Sequence, residues 1–289
     1  MTDRFELVVP GLWMVRSRVS VTNSGVWLEE GMACLIDPGN TADEVAQIAA
    51  FVQEQGGRTT HVVLTHAHWD HALGVQALPG VPVVAHASYP GEIERDGEVT
   101  LRFLVKNKLV DAATFAFPRP GLLVNGEMAL PGQGPALRLI PTPGHSADHL
   151  SIYDPRTGTL WAGDMLSDME IPYVISSLAE YERTLAHFSA LDVRALVPGH
   201  GHPTCDPAEV RRRLRADTEY LAALRAGVET ALHDGSAIGE TVARLAGLIA
   251  QPEMEGTHRL NVESAYVELG GPGNPPEVGW GRWFATMAD

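Results

Sequence analysis

At 289 residues, 45% of them hydrophobic and 20% charged, the chain can bury a large core and has the balance of a soluble globular protein. A formal net charge of −15 argues against a nucleic-acid binder, whose phosphate contacts need clustered Lys and Arg, and no uninterrupted apolar run approaches the length of a membrane span. Met1–Glu6 lacks the basic-then-apolar pattern of a signal peptide, and the two cysteines, Cys34 and Cys205, make no disulfide framework, so the cytoplasm is the expected compartment.

Three short apolar runs, Leu12–Val15, Gly25–Leu28 and Ala33–Ile36, bounded by Gly, Asn and charged residues, predict strands. Asp37-Pro38-Gly39-Asn40 is a turn. Thr41 to Glu44 forms a capping box that opens a helix, with Val45, Ile48, Ala49 and Val52 at helical spacing and Gly56-Gly57 as its stop. A buried strand at Val62–Leu64 runs into a His-rich loop, followed by a short helix from about Ala72 and a strand at Val83–Ala85. Residues 88–134 are less regular, with helical pieces around Val99–Leu109, and an excursion of this kind between core strands suits a lid or pocket wall. Strand character returns at Leu137–Ile140, Leu150–Tyr153, Thr159–Trp161 and Ala195–Val197. Between the last two, a box from Ser177 to Glu180 opens a helix with Leu178, Tyr181, Leu185 and Phe188 on its inner face. After Asp206-Pro207-Ala208-Glu209 the chain reads as helical: a long helix with Val210, Leu214, Leu221, Leu224 and Val228 on one side, then shorter ones near Ile238–Ile249 and Leu260–Leu269. The Pro/Gly-rich tail carries Trp280, Trp283 and Phe284, expected to pack back on the body, with a homo-oligomeric contact as the alternative.

The chemistry concentrates in Thr65-His66-Ala67-His68-Trp69-Asp70-His71, where four potential metal ligands stand within six residues. A packed core has no use for four adjacent titratable groups. Residues i and i+2 at a strand end point to the same side, so His66 and His68 can reach one ion together, while Asp70 and His71 can face a second after the chain turns. Pro143-Gly144-His145, Gly163-Asp164 and Pro198-Gly199-His200 each follow an apolar run and present a ligand at a strand end, where open sheets place their sites. Asp164 has two oxygens with which to bridge two ions. Seven nitrogen and oxygen ligands suffice for two ions with open positions left over, and imidazole with carboxylate suits zinc, iron or manganese. The pattern points to metal-assisted hydrolysis: two cations sharing a water lower its pKa, so that hydroxide is present near neutral pH to attack a carbonyl or phosphoryl centre.

Taken in order, these motifs resemble those of the metallo-beta-lactamase-fold superfamily, as does the earlier Leu35-Ile36-Asp37-Pro38-Gly39, over roughly residues 7 to 205. The resemblance implies an α/β fold, a four-layer αββα sandwich with the metals at one edge. On this reading residues 1–205 form the catalytic domain, and 206–289 form a helical region packed on it. It also implies that His66, His68 and His145 hold one ion, Asp70, His71 and His200 the other, and that Asp164 bridges them; Zn2+ is the expected metal, with Fe or Mn as alternatives. The complete ligand set, the run His145-Ser146-Ala147-Asp148-His149 and the helical tail are more similar to the hydroxyacylglutathione-hydrolase-like (glyoxalase II-like) and lactamase-like branch than to the true beta-lactamases.

The activity this implies is hydrolysis of a small-molecule thioester, ester or lactone by a metal-bridging hydroxide, with Asp70 also orienting the hydroxide. Asp37 and Asp148 are candidates to hold the histidines. Tyr173 is the candidate to line the substrate pocket, because Ser167 stands where lactonases of this fold commonly carry a Tyr. Trp69 is expected to pack on the loop or flank the pocket mouth, while His202 and Cys205 lie near His200 with a turn or incidental role favoured. Arg211, Arg212, Arg213 and Arg215 read as a solvated face. The alternatives left open are a mononuclear-iron enzyme resembling the persulfide dioxygenases, a phosphodiesterase or endoribonuclease, and a non-catalytic metal-binding protein.

Overall fold

The C-terminal ends of two sheets meet along one edge of the molecule, and strand pairing explains why. In the computed structural model, which describes residues 4–132 and 134–273, seven strands form the first sheet in chain order. They are β1 (Glu6–Val9), β2 (Leu12–Arg16), β3 (Asn23–Glu29), β4 (Met32–Ile36), β5 (Arg58–Val63), β6 (Val83–His86) and β7 (Leu122–Val124). The first four form an antiparallel meander, and β4 through β7 pair in parallel. The second sheet comprises β8 (Met128–Ala129), β9 (Arg138–Pro141), β10 (Leu150–Asp154), β11 (Thr159–Gly163) and β12 (Ala195–Pro198), in the order β12-β11-β10-β9-β8. Only β11 and β12 are parallel there.

Alternation along the strands builds the layers, since successive side chains point to opposite faces. In β4, Cys34 and Ile36 face the second sheet, in a core shared with Trp27, Val63, Leu139, Ile152, Trp161 and Val197. Ala33 and Leu35 face the other way, onto Ile48, Phe51 and Val52 of α1 (Ala42–Glu54) and Tyr89 of α3 (Tyr89–Lys106). In β11, Trp161 faces inward while Leu160 and Ala162 pack outward. Their outer partners include Leu178, Leu185 and Phe188 of α4 (Leu178–Ser189), Leu221, Leu224 and Val228 of α5 (Pro207–His233), Leu245 of α6 (Ile238–Leu245), and Val262 and Tyr266 of α7 (Glu255–Glu268). The result is the four-layer αββα arrangement, with the C-terminal helices sharing the outer core of the second sheet. Strands covered on both faces explain the continuous apolar runs in the sequence. Each fully buried Leu or Ile contributes roughly 1.5–3 kcal/mol. Among the described residues, no helix is long and apolar enough to cross a membrane.

Several elements differ from expectation. The stretch after Ser88 holds an 18-residue helix, α3, rather than scattered pieces from Val99. Its first turns carry Glu92, Glu94, Arg95 and Asp96 and two glycines, which hide the helical period, while Pro90 in the first turn starts it cleanly. The short helix begins earlier, as α2 (Trp69–Ala72) continued by a 3₁₀ turn, and α7 starts at Glu255. Thr41 and Ser177 do cap α1 and α4, accepting from the amides of Glu44 and Glu180. Neither box closes reciprocally. Glu44 turns instead onto Ser17 Oγ and the Arg18 and Asn40 amides, and Glu180 pairs with Arg183. Trp280, Trp283 and Phe284 lie outside the described residues.

Candidate metal centre

Parallel pairing sets strand ends side by side. The register Ile36↔Val63 between β4 and β5 brings Asp37 next to Thr65, and Gly163↔Pro198 between β11 and β12 brings Asp164 next to Gly199 and His200. Glycine is needed at position 199: a Cβ there would lie 2.2 Å from Asp164 Oδ1 and 3.0 Å from His71 Cε1. Gly144, with φ of +136°, lets the chain before His145 run against Tyr181 of α4, whose Cα a Cβ would approach to 2.4 Å. The two sheets are joined at the site by the Leu150 amide, which donates to the Thr65 carbonyl at 2.7 Å.

All seven residues singled out as ligands converge. They fall into two groups, His66/His68/His145/Asp164 and Asp70/His71/His200, and within each group the ligand atoms lie within 4.8 Å of one another. Asp164 joins the groups: Oδ2 lies 3.6 Å from His66 Nε2, 3.5 Å from His145 Nε2 and 3.7 Å from His200 Nε2, and Oδ1 lies 3.1 Å from His71 Nε2. Asp70 Oδ2 lies 3.2 Å from His200 Nε2. His145 Nε2 is 3.1 Å from His68 Nδ1. Buried polar atoms normally find a partner, yet His66 Nε2, His71 Nε2 and Asp164 Oδ1 have none among the described residues. Nitrogen and oxygen atoms converging from imidazoles and carboxylates fit a pair of divalent cations in both donor type and charge.

The outward-facing nitrogens show how the rings are fixed. Asp37, wholly buried, accepts from the Thr65 amide at 2.8 Å, from Thr65 Oγ1 at 2.7 Å and from His71 Nδ1 at 2.9 Å. Because Thr65 Oγ1 spends its proton on Asp37, it accepts from His66 Nδ1 at 2.9 Å. One carboxylate therefore holds both His66 and His71 with Nε2 turned inward. His145 Nδ1 donates to the Tyr173 carbonyl at 3.0 Å. His149, to which the sequence assigned no role, accepts the Asp164 amide at Nε2 (3.1 Å) and donates from Nδ1 to Thr142 Oγ1 (2.8 Å). Thr22, which carries no local signal in the sequence, donates to Asp70 Oδ2 at 3.0 Å.

Charge is arranged to match. Burial, reinforced by the neighbouring imidazoles, holds His66 and His68 well below the ordinary histidine range. Burial and His145 push His149 down to about 3, so it is neutral, as its acceptor role requires. For His71 and His200 burial acts downward, but carboxylates outweigh it: Asp164, Asp70 and Asp37 raise His71 well above its usual value, and Asp164 and Asp70 bring His200 up to about 9. Asp164 is held well below the carboxylate range, its burial overcome by His71, His200 and His66.

Above the ligands opens a cavity of about 680 Å³, whose walls include Trp69, Phe103, Leu109, Ile171, Met254 and Tyr173. Tyr173 and Trp69 both line this cavity, and Phe103 and Leu109 place the end of α3 and the loop after it at the wall. Asp148 is buried but takes hydrogen bonds from Ser146 Oγ and the Ala67 amide, so among the suggested acids Asp37 alone touches a ligand histidine in the described contacts. His202 turns to Asp168 at 2.9 Å in an exposed position, and Cys205 donates to the Val8 carbonyl at the surface; neither lines the cavity. Arg213 departs from the expected solvated face: it is buried, donating to the His202 carbonyl and to Glu209.

A double sandwich with a His/Asp cluster on its joined strand ends defines a class, and residues 18–200 match the metallo-beta-lactamase superfamily, to which the chain belongs. Among named proteins it is 28% identical over 218 residues to a hydroxyacylglutathione hydrolase of Methylobacterium nodulans, covering 68% of this chain and 76% of that one. It is 24% identical over 199 residues to a beta-lactamase-like protein 2 homolog of Caenorhabditis elegans (66% and 61%), and 27% identical over 172 residues to the thioesterase pkgB of Emericella nidulans (58% and 42%). The matches to the latter two thus span 61% and 42% of those proteins, under two thirds of their length. A metallo-beta-lactamase family protein from Thermus thermophilus superposes with a TM-score of 0.66 at 24% identity, covering 93% of this chain and 97% of that one. The sec-alkylsulfatase Pisa1 from Pseudomonas sp. gives 0.71 at 18%, covering 93% and 50%. Both likenesses speak to the fold.

Proposed function

We propose that this protein is a hydrolase that cleaves a small-molecule thioester, ester or lactone at a site for two divalent ions, with zinc the expected metal. One observation carries the reading: a complete His/Asp set in two groups joined by Asp164, at the floor of a cavity walled largely by apolar side chains. His66, His68 and His145 would hold one ion and Asp70, His71 and His200 the other, with Asp164 between them. When bound, the pair supplies an acidified water and electron withdrawal from the scissile carbonyl.

The chain's own residues do the rest. Asp37 holds His66, through Thr65, and His71 by their Nδ1 atoms, and the Tyr173 carbonyl holds His145 by its Nδ1, so each ring would turn Nε2 toward an ion. His149 orients the Asp164 backbone. Asp70, steadied by Thr22, is the carboxylate placed to align the attacking water. Trp69, Phe103, Leu109 and Met254 exclude solvent and seat the apolar part of the acyl group, while the acidic lining residues Glu170 and Glu253 disfavour an anionic one. The thioesterase and hydroxyacylglutathione hydrolase among the relatives support a thioester in particular.

The test is metal content by plasma mass spectrometry on protein purified without chelator, then assay against thioesters, lactones and phosphodiesters. The expected result is about two ions per chain with thioester or lactone hydrolysis that falls to background in His68→Ala. One iron per chain with oxygen-dependent turnover, or full activity in His68→Ala, overturns the proposal.

A further inference from the structure

Asn261 lies on α7, 87 residues from Val174, and its side chain is wholly buried. Its Oδ1 accepts from the Val174 amide at 2.8 Å, and its Nδ2 donates to the Pro172 carbonyl at 2.6 Å and to Tyr220 Oη at 2.8 Å. The amide orientation is fixed, because only an oxygen can accept from the Val174 N–H. The two backbone contacts fall on either side of Tyr173, whose carbonyl accepts from His145 Nδ1 at 3.0 Å. Residues 171–174 belong to no helix or strand, so their polar groups have no ladder to hold them and depend on partners from elsewhere.

We propose that Asn261 is a positioning residue for the metal centre, clamping the backbone around Tyr173 so that its carbonyl fixes the ring and tautomer of His145. The inference rests on the reading of His145 as a ligand. It explains why a residue of modest helix propensity, with an amide that is costly to bury, stands inside α7. The clamp is itself anchored: Tyr220 Oη donates to His258 Nδ1 at 2.9 Å, and His258 Nε2 donates to the Leu245 carbonyl at 2.8 Å. Every donor in this chain of contacts has an acceptor, and a fully satisfied buried network is rigid. The C-terminal helices thereby reach the metal centre through backbone, without contributing a ligand.

The test compares Asn261→Ala with Val262→Ala, a neighbouring core truncation on the same helix, and with Tyr220→Phe, which removes only the anchor. Two readouts are taken on full-length protein: the affinity of each Zn2+ by chelator competition, and the tautomer of His145 by ¹⁵N–¹H NMR of the metal-free protein. Asn261→Ala is expected to weaken one of two ions about 10–100-fold and to turn a single Nδ1–H tautomer into a mixture. Val262→Ala, although destabilised, is expected to keep both. Tyr220→Phe is expected to fall between. Should Asn261→Ala not fold, Asn261→Asp, which keeps the acceptor for Val174 and loses the donor to Pro172, carries the same comparison. Unchanged affinity together with a single tautomer in the Asn261 variant overturns the clamp. Wild-type protein that takes up no Zn2+ yet shows a single His145 tautomer defeats the dinuclear hydrolase and leaves the clamp standing.

Discussion

The two sides of the centre are braced by different parts of the chain. On the side of His66 and His71 the brace is local to the first sheet, since Asp37 leaves β4 just where Thr65 follows β5, and parallel register sets them together. On the side of His145 the brace comes from far along the sequence. α7 supplies Asn261 to the 172–174 backbone, and Glu268 accepts from the Leu178 and Ala179 amides and from Ser177 Oγ, capping the helix that carries Tyr181 against Gly144. One half of the site therefore follows from strand pairing, and the other depends on the docking of the C-terminal helices.

The sharpest way to break the local brace is Asp37→Ala. It leaves His71 Nδ1 and both Thr65 donors buried without an acceptor, and is expected to cost about 3–5 kcal/mol in urea unfolding and to weaken both ions. A loss below about 1 kcal/mol would mean that the register alone holds the rings. Next comes Asp217 on α5, which faces the cavity and accepts the Leu166 amide. Burial raises its carboxyl from 3.8 to about 7, so the folded state binds a proton more tightly than the unfolded one. Wild-type stability should then fall as pH rises from about 4 to about 7 and level off above. Asp217→Asn should flatten that slope, leaving the share of Asp148, which burial also raises to about 7, and gain at most about 4 kcal/mol at pH 8; parallel pH profiles for the two proteins would contradict it.

Glu268→Ala tests the distant brace more gently. Uncapping α4 should cost about 1–2 kcal/mol and loosen the His145 side alone, seen as faster amide exchange at Leu178 and Ala179 with Thr65 unchanged. The smallest effect is reserved for the control: Arg102→Ala removes an exposed pair with Glu98, and should change stability by no more than about 0.5 kcal/mol. A larger loss would show that surface charge on α3 matters to the cavity wall.

The same division governs what could be read from the sequence. The layers were legible because two-sided burial writes continuous apolar runs, and the candidate ligands were legible because His and Asp crowd at the ends of those runs. Asp37 could be suspected because it closes its own strand. Asn261 and Glu268 could not: an Asn or Glu in a helix looks solvated until the fold brings a distant backbone against it. His149 carried a partial signal, lying four residues past His145, but its use of an imidazole to accept a backbone amide is a fact of tertiary packing. Thr22 was hidden for the same reason, and α3 was read short because charge masked its period.

Gly199 sets a boundary for anyone redesigning this site. The space a methyl group would need there is already filled by Asp164 Oδ1 at 2.2 Å, with His71 Cε1 at 3.0 Å. Exchanging a histidine for another donor can retune which cation is preferred, because ligand side chains end in open coordination space. Position 199 offers no such freedom, since even alanine must displace the Asp164 carboxylate that joins the two ligand groups. A narrow tolerance in the centre thus belongs to a residue with no functional group at all.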